Sequence, residues 1–463
     1  MNLQQTILWL EQGGGARVLK VSALLLALLG LSVTVAYKQF HGPRTEETLR
    51  QADLGRSLAS GQGFTSSVNY PQVHAVLEKQ GHLFDATERM PEVYHAPGYP
   101  LVIAAALAIL PEGLRHRLFT DIPDPPTGFG ADYLLLVLNG LFLAIAAWQC
   151  WLLGRKLFDD RVGLVAAVCL LVSTSIWSHV VAVDGTALAM VLLLGLFQVL
   201  VSVDEKLTAG KEPWGGWVLT GVLSGLLFLT DYPLGVLIVV VAVHAIGRKR
   251  ARAVGVVLVV AALVIAPWLI RNVSVMGSPV ALAGQDIALR VNDSTAEPET
   301  FRTTMSAETP RLSLNKMGNK VLTALQETLQ QNLWAGGGLL LTAFFVTGWI
   351  YRFKRDLTNR IRSLGALALA LMVIAHGLMN SGEGERVPTA VGAPLIILFG
   401  VGFFMVLVSS SPALKAWPGA AALVVILLQG LPLLHDVLEP RRIHFSYWGR
   451  PNPRGVLPSR IGP

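Results

Sequence analysis

Charge is scarce in this sequence. Only 14% of the 463 residues are Asp, Glu, Lys or Arg, where a soluble globular chain carries about 25%. With 52% of the residues hydrophobic, there is too little polar surface to cover a soluble core, and an ordinary soluble domain is excluded. Cysteine is almost absent. Cys150 and Cys169 are the two present, and both lie in apolar runs, which argues against a disulfide scaffold and against a cysteine-based zinc site. Acidic residues number 30 against 37 Lys and Arg, for a net charge of +7. No basic run is interleaved with aromatics away from the apolar blocks, so the excess reads as positive-inside loops, not as a nucleic-acid surface. The alternation of barrel strands is missing too.

What is present is a series of apolar blocks. A run of about 18–25 such residues crosses a ~30 Å hydrocarbon layer as a helix, which satisfies its own backbone hydrogen bonds. The first block spans about 18–37, and its length without a small-residue cleavage site favours an anchor over a removed signal peptide. Others lie near 97–111, 133–153, 162–182, 184–203, 214–230, 232–246, 253–270, 334–351, 363–380, 388–408 and 416–434. The expectation is an all-α, polytopic transmembrane helical bundle of about 11–12 membrane segments. Its parts are a cytoplasmic N-terminus (1–17), the first transmembrane helix (18–37) and an extracytoplasmic loop with an acidic motif (38–96). A transmembrane core (97–271) follows, then a second extracytoplasmic loop (272–333), C-terminal transmembrane helices (334–434) and a Pro-rich basic tail (435–463).

Basic residues set the sides. Arg17 and Lys20, the group Arg155, Lys156 and Arg161, the group Arg248 to Arg252, and the group Arg352 to Arg362 all belong on the cytoplasmic side. Both long loops then lie outside, with the turns near Asp184, Asp231 and Glu383. This needs an even number of crossings between the first loop and Asp184, yet three blocks lie there. The block at 97–111, bounded by Pro97 and Pro111, is therefore expected to enter only partway or to form one arm of a re-entrant hairpin; a full span with a basic outer turn is the alternative. In the second loop, Leu314, Met317, Val321, Leu322 and Leu325 stand at helical spacing. They suit an interfacial helix on the membrane or a solvated helix packed on the loop.

Four outer features could carry chemistry. Glu46 and Glu47 open a helical pattern in which Leu49, Leu54 and Leu58 mark one face. A carboxylate there can act as a base, or can simply favour a helix start. His95, between Tyr94 and Tyr99 in a Pro-rich turn, suits a phosphate or metal contact, or a structural hydrogen bond. Asp184 and Asp231 are ionisable groups beside hydrocarbon, where such groups tend to be functional, although each could also cap a helix. Arg271, next to Trp268, and Arg386 lie at the depth of lipid phosphates and can pair with one or snorkel. All four fall on one face, the layout expected of an enzyme whose donor is a phosphate-linked lipid.

The chain resembles the GT-C membrane glycosyltransferases, especially bacterial relatives of protein mannosyltransferases and of lipid A aminoarabinose transferase. The stretch Glu47 to Phe64, with Ala52, Arg56, Leu58, Gly61 and Gly63, is similar to the family's acidic motif and the helix after it. His95-Ala96-Pro97-Gly98-Tyr99-Pro100, Gly154-Arg155-Lys156-Leu157-Phe158, the span Gly221 to Thr230, and Pro267-Trp268 with Arg271-Asn272 follow in the family's order, over about residues 18–410. The resemblance implies transfer with inversion from a polyprenyl-phosphate-linked sugar on the extracytoplasmic face. The acceptor would be a glycan, lipid or protein, and membrane lipid and no nucleic acid would be the other expected partner calls. It implies catalytic roles for Glu47, then Glu46, and for Asp184. It implies donor-phosphate contacts for Arg271, Arg56 and Arg386, with His95 and Tyr99 beside them. No cofactor is required by this reading and no metal ligands are assigned, although a divalent metal is left open. The expected location is a bacterial inner membrane, with the site facing the exterior.

Three departures stand out. Glu replaces the usual first-loop Asp, His95-Ala96 replaces Pro-Pro, and Asp231 stands where the family often has Arg. The rival readings are a transporter or lipid flippase and a catalytically inactive subunit with the same fold. No internal repeat supports the transporter.

Overall fold

In the computed structural model the chain is almost wholly helical. The structure describes residues 14–438, except 41, 44, 68–69, 83–87, 121–129, 289–301, 303, 309–310, 333–335 and 380–387. The first helix, α1 (Gly14–Gln39), leads into the first long loop, which carries α2 (Glu46–Ala59), β1 (Thr65–Ser66), α3 (Pro71–Lys79) and β2 (Met90–Pro91). Then come α4 (Gly98–Ile109), α5 (Glu112–Thr120), α6 (Gly130–Leu157), α7 (Asp160–Leu171), α8 (Thr174–Ala182), α9 (Thr186–Thr208), α10 (Trp214–Thr230), α11 (Leu237–Gly247) and α12 (Ala251–Met276). The second loop holds α13 (Leu314–Glu327), and α14 (Leu339–Gly348), α15 (Asp356–Met379), α16 (Pro388–Ser410) and α17 (Pro418–Leu438) complete the described chain.

Among the described residues six helices are long and apolar enough to cross a membrane, or eight if two bent pairs each count as one span. The protein is thus a multi-pass integral membrane protein built as a helical bundle. Two helices form its centre: the apolar windows of α16 and α9 are 72% and 67% buried, whereas those of α12 and α17 are 22% and 11% buried. The peripheral helices turn leucines outward, among them Leu263 on α12 and Leu427 on α17. A continuous apolar exterior of this kind belongs against lipid.

Two of the apolar blocks do not form single straight spans. The block at 97–111 yields α4, twelve residues long. It rises roughly 18 Å, well short of the ~30 Å of a bilayer core. The chain then bends by 117° into α5. The block at 162–182 divides at Val172–Ser173 into α7 and α8, bent by 52°. Close helix approach explains one of the motifs. A Cβ on Gly154 of α6 would sit 2.5 Å from the Gly163 Cα of α7, so glycine at that point lets the two backbones touch.

The first loop folds back on the bundle. Its two short strands pair antiparallel, with Thr65 opposite Pro91 and Ser66 opposite Met90. The 97–100 turn is seated against the end of α10, where a Cβ on Gly98 would lie 2.7 Å from the Leu229 carbonyl oxygen. In the second loop the expected amphipathic helix is α13. Leu314 and Leu322 point outward, while the buried Lys320 turns inward and donates to the Asp286 carbonyl at 2.6 Å.

Candidate active site at the loop end of the bundle

The start of α2 is set by a reciprocal cap. The Thr45 hydroxyl accepts the Thr48 N–H, and the Thr48 hydroxyl accepts the Thr45 N–H, both at 3.2 Å. Such a box satisfies two donors that a helix start leaves open. It fixes Glu46 and Glu47 in the first turn. Gln51, one turn on, donates to the Glu47 carboxylate at 2.7 Å. The side chain of Glu46 lies outside the described residues. The inward face differs from the one expected. Leu54 is buried, but Leu49 is 48% exposed, and Arg50 and Gln51 take the inward positions instead.

Arg50 can be buried because it meets Glu92. The Arg50 Nη1 lies 3.1 Å from Glu92 Oε2, and its guanidinium stacks over the Tyr70 ring at 3.5 Å. The other oxygen of Glu92 accepts the backbone N–H groups of Val93, Tyr94 and His95 at 3.0, 2.7 and 3.0 Å. Burial by itself would raise the Glu92 pKa. The Arg50 charge, the His95 ring and these backbone donors outweigh it and hold the carboxyl well below its ordinary range. Glu92 is therefore a fixed anion at the centre of the loop, and it shapes the 92–95 turn. Nothing local in the sequence marked it out, because Arg50 is 42 positions away.

His95 and Arg271 both converge on Glu92. The His95 Nδ1 lies 3.1 Å from Glu92 Oε1. Facing a carboxylate, that nitrogen carries a proton and donates it to Glu92. Arg271 of α12 donates to the backbone carbonyls of Glu92 and, at 3.2 Å, Phe64. It also stacks on Trp268, 5.0 Å from the ring centroid. Trp268 in turn donates to the Tyr232 hydroxyl at 2.7 Å, and that hydroxyl reaches the His95 carbonyl at 3.3 Å. Arg271 thus pins the loop to the bundle through neutral acceptors.

Two further ion pairs brace the loop. Asp53 accepts from Arg89 and from the Ser67 N–H, both at 2.8 Å. Burial opposes its ionisation, but these donors win and lower its pKa. Asp286 is held by Arg302 at 2.6 Å, with burial pushing its carboxyl above the ordinary value.

Beside α2 lies a cavity of about 210 Å³ between α2, α4, α5 and α6. Its walls include Ile103, Leu107, Phe119 and Leu135, and Arg56 is the one cation among its lining residues. Arg56 stacks over Phe119 at 4.3 Å. Tyr99 faces elsewhere. It is buried and its hydroxyl accepts a hydrogen bond from Asn139 of α6, so it serves to lock α4 to α6.

The remaining expected acids have partners of their own. Asp184 lies 2.6 Å from His179 Nδ1 and accepts the Thr186 N–H at 2.9 Å, which caps α9. Asp231 meets His376 of α15 at 3.0 Å, an imidazole standing opposite the residue where the family often has Arg. Arg386 lies outside the described residues. Among those described, no group of three or more His, Cys, Asp or Glu is placed to hold a metal ion.

Residues 128–270 match the family model described as dolichyl-phosphate-mannose-protein mannosyltransferase. Two crystal structures of the oligosaccharyltransferase of Archaeoglobus fulgidus share the architecture. The apo form matches with a TM-score of 0.51 at 14% identity, over 89% of this chain and 55% of that one. The form in complex with Zn and sulfate matches with a TM-score of 0.50 at 16% identity, over 89% and 52%. The chain shares the helical membrane fold of these structures and spans about half the length of the solved proteins it matches. No curated protein matches it in sequence. The resemblance read from five short motifs is supported by the family match, which runs from α6 into α12 and ends at residue 270, just past Trp268.

Proposed function

We propose that this protein is an integral membrane glycosyltransferase. It moves a sugar from a polyprenyl-phosphate-linked donor to a hydroxyl or amine of a lipid, glycan or protein acceptor, at the loop end of the bundle. The observation that carries the reading is Glu47. It is a half-buried carboxylate in the first turn of α2, oriented by Gln51, and α2 is itself clamped to the bundle through Arg50 and Glu92. The family description, which names a dolichyl-phosphate sugar, supports the donor class.

In this mechanism the acceptor O–H or N–H gives its proton to the Glu47 carboxylate as the heteroatom attacks the anomeric carbon. The bond from that carbon to the phosphate oxygen breaks on the opposite side, so the configuration inverts. The lipid phosphate leaves with the bonding electron pair. Arg56, in the lining of a cavity that Asp53 and Asp132 also line, and Arg271, with no described carboxylate at salt-bridge distance, supply positive charge for it. Glu46 is the reserve base and Arg386 a further cation. Asp184, oriented by His179, is the second acid. His95 offers a hydrogen-bonding nitrogen near the donor, and Tyr99 acts by positioning α4. The site faces the exterior of a bacterial inner membrane, since the basic clusters lie at the other end.

The test is sugar transfer in proteoliposomes supplied with a polyprenyl-phosphate sugar. Glu47→Gln should lower the rate by about 10²–10⁴-fold with unchanged thermal unfolding, and Asp184→Asn should lower it as well. Full activity in both variants would remove these residues from the site. Flux of lipid or solute across the liposome without transfer would favour a flippase or transporter.

A further inference from the structure

At the end of the bundle away from the loops, α6, α9 and α10 diverge around a second and larger cavity of about 420 Å³. α6 runs from Gly130, beside the loop, to Leu157, and α9 runs from Thr186, beside Asp184, to Thr208. The lining residues Leu152 to Lys156 and Gln198 to Lys206 are therefore at the far ends of both helices. The size lies within the range of small-molecule sites, about 300–1,000 Å³.

Its lining has two parts. Arg155, Lys156 and Lys206 supply three cations, with Ser202 and Gln198 as neutral polar groups. Leu152, Val199 and Leu219 supply apolar walls. Among the described residues, Arg155 and Lys206 have no carboxylate at salt-bridge distance. Arg155 rests on the Trp151 ring, 5.0 Å from its centroid. Lys156 touches Glu205 only loosely, at 3.7 Å with both side chains well exposed, and donates to the Ser202 hydroxyl at 3.3 Å. The nearby buried Asp204 does not offset these charges, because Arg360 at 2.6 Å and Arg248 at 3.2 Å already claim it. Trp214, adjacent in sequence to the lining residues, is half exposed, as an aromatic at a membrane–water interface would be. Gly215 next to it also lines the cavity, and a Cβ there would meet nothing within 4 Å.

Charge and apolarity thus meet in one recess at interface depth. A soluble anion would use the cations and gain nothing from the leucine and valine walls. A basic recess between transmembrane helices is suited to an anionic lipid headgroup. We propose that this cavity binds one anionic phospholipid from the leaflet on that side. Arg155, Lys156 and Lys206 hold its phosphate, and Leu152, Val199 and Leu219 pack against the glycerol end of its acyl chains. The site is separate from the loop-end site and does not depend on the transferase reading.

Native mass spectrometry of the purified full chain in neutral detergent tests this. Titration with phosphatidylglycerol should give one retained lipid, with affinity at least about tenfold above that for phosphatidylcholine. The triple variant R155Q/K156Q/K206Q should lose that preference. Gly215→Leu keeps every charge but fills the recess, and it should also weaken phosphatidylglycerol retention by about tenfold or more. All four substituted side chains sit at an open surface, so thermal unfolding of both variants should match wild type. Equal retention of the two lipids by wild type would overturn the proposal. So would undiminished retention in Gly215→Leu, which would indicate diffuse surface attraction. Displacement of the lipid by millimolar inorganic phosphate would overturn the lipid assignment in favour of a soluble phosphate.

Discussion

At the loop end, Arg50, Arg89 and Arg302 each meet a carboxylate within 3.1 Å, namely Glu92, Asp53 and Asp286. At the opposite end, Arg155 and Lys206 line an open cavity with no described carboxylate at salt-bridge distance. Both ends carry charge next to an apolar bundle, but it is put to different use. Pairing at the loop end puts much of the described charge to holding the loop down, and the groups proposed to meet a substrate, Glu47, Arg56, Arg271 and His95, stand outside these three ion pairs. At the other end the charge stays on the surface of the recess. A count of ionisable residues therefore says little about where chemistry happens, and the partners say more.

The sharpest way to break this contrast is to open the central pair of the loop. Glu92→Leu leaves Arg50 buried without a counter-charge and strips three backbone N–H groups of their acceptor. A loss of about 3–5 kcal/mol in stability is expected, read by chemical denaturation in detergent. Glu92→Gln keeps an acceptor oxygen and removes only the charge, so it should cost less than Glu92→Leu. The same pair sets a pH dependence. The folded pKa of Glu92 is depressed below the ordinary value of 4.5. Its contribution is then fully present above that ordinary value and is lost as pH falls through the lower, folded one. Wild type should lose stability on acidification below about 4.5 more steeply than Glu92→Gln does.

A second comparison leaves charge alone. Gly98 at the loop end and Gly215 at the far end are both near a helix start, but a Cβ on Gly98 would strike the Leu229 carbonyl at 2.7 Å, while one on Gly215 meets nothing. Gly98→Ala must push the loop turn off α10, with an expected loss of about 1–3 kcal/mol. Gly215→Ala should be neutral or stabilising by a few tenths of a kcal/mol, as ordinary helix propensity dictates. The same denaturation curves decide it. Equal effects at the two glycines would mean that the loop is not seated on the bundle as described.

Much of the scaffold was legible in advance, because hydrocarbon imposes a length on any apolar helix. The blocks near 184–203 and 388–408 became the two most buried long helices, α9 and α16. The bend after 97–111 is foreshadowed by Pro97 and Pro111 and by the charged residues that follow. The bend at Ser173 lies inside continuous apolar sequence, where hydropathy records nothing. Of the candidate site, His95 and Arg271 do converge, and the sequence marked both by their flanking Pro, Tyr and Trp. The group on which they converge, Glu92, was missed, because a long-range ion pair leaves no local pattern. Leu49 was misassigned for the same reason. An inward arginine is unfavourable unless its partner is known, so the leucine was placed inward instead.

The smallest test bears on whether the far-end charge is free in the sense claimed. Glu205 is the carboxylate nearest the cavity cations, and its contact with Lys156 is long and solvent-exposed. Exposed pairs of this kind contribute about 0–1 kcal/mol, so Glu205→Gln should shift stability by no more than about 1 kcal/mol. That is small beside the change expected at Glu92, although both substitutions remove one carboxylate from one cation. The substitution also takes away the negative charge beside Lys156. Retention of phosphatidylglycerol should then stay equal or rise, by up to about fivefold for one unit of charge near a membrane surface. A fall in retention would mean that Glu205 organises Lys156 for the lipid, and the far end would then share the paired logic of the loop.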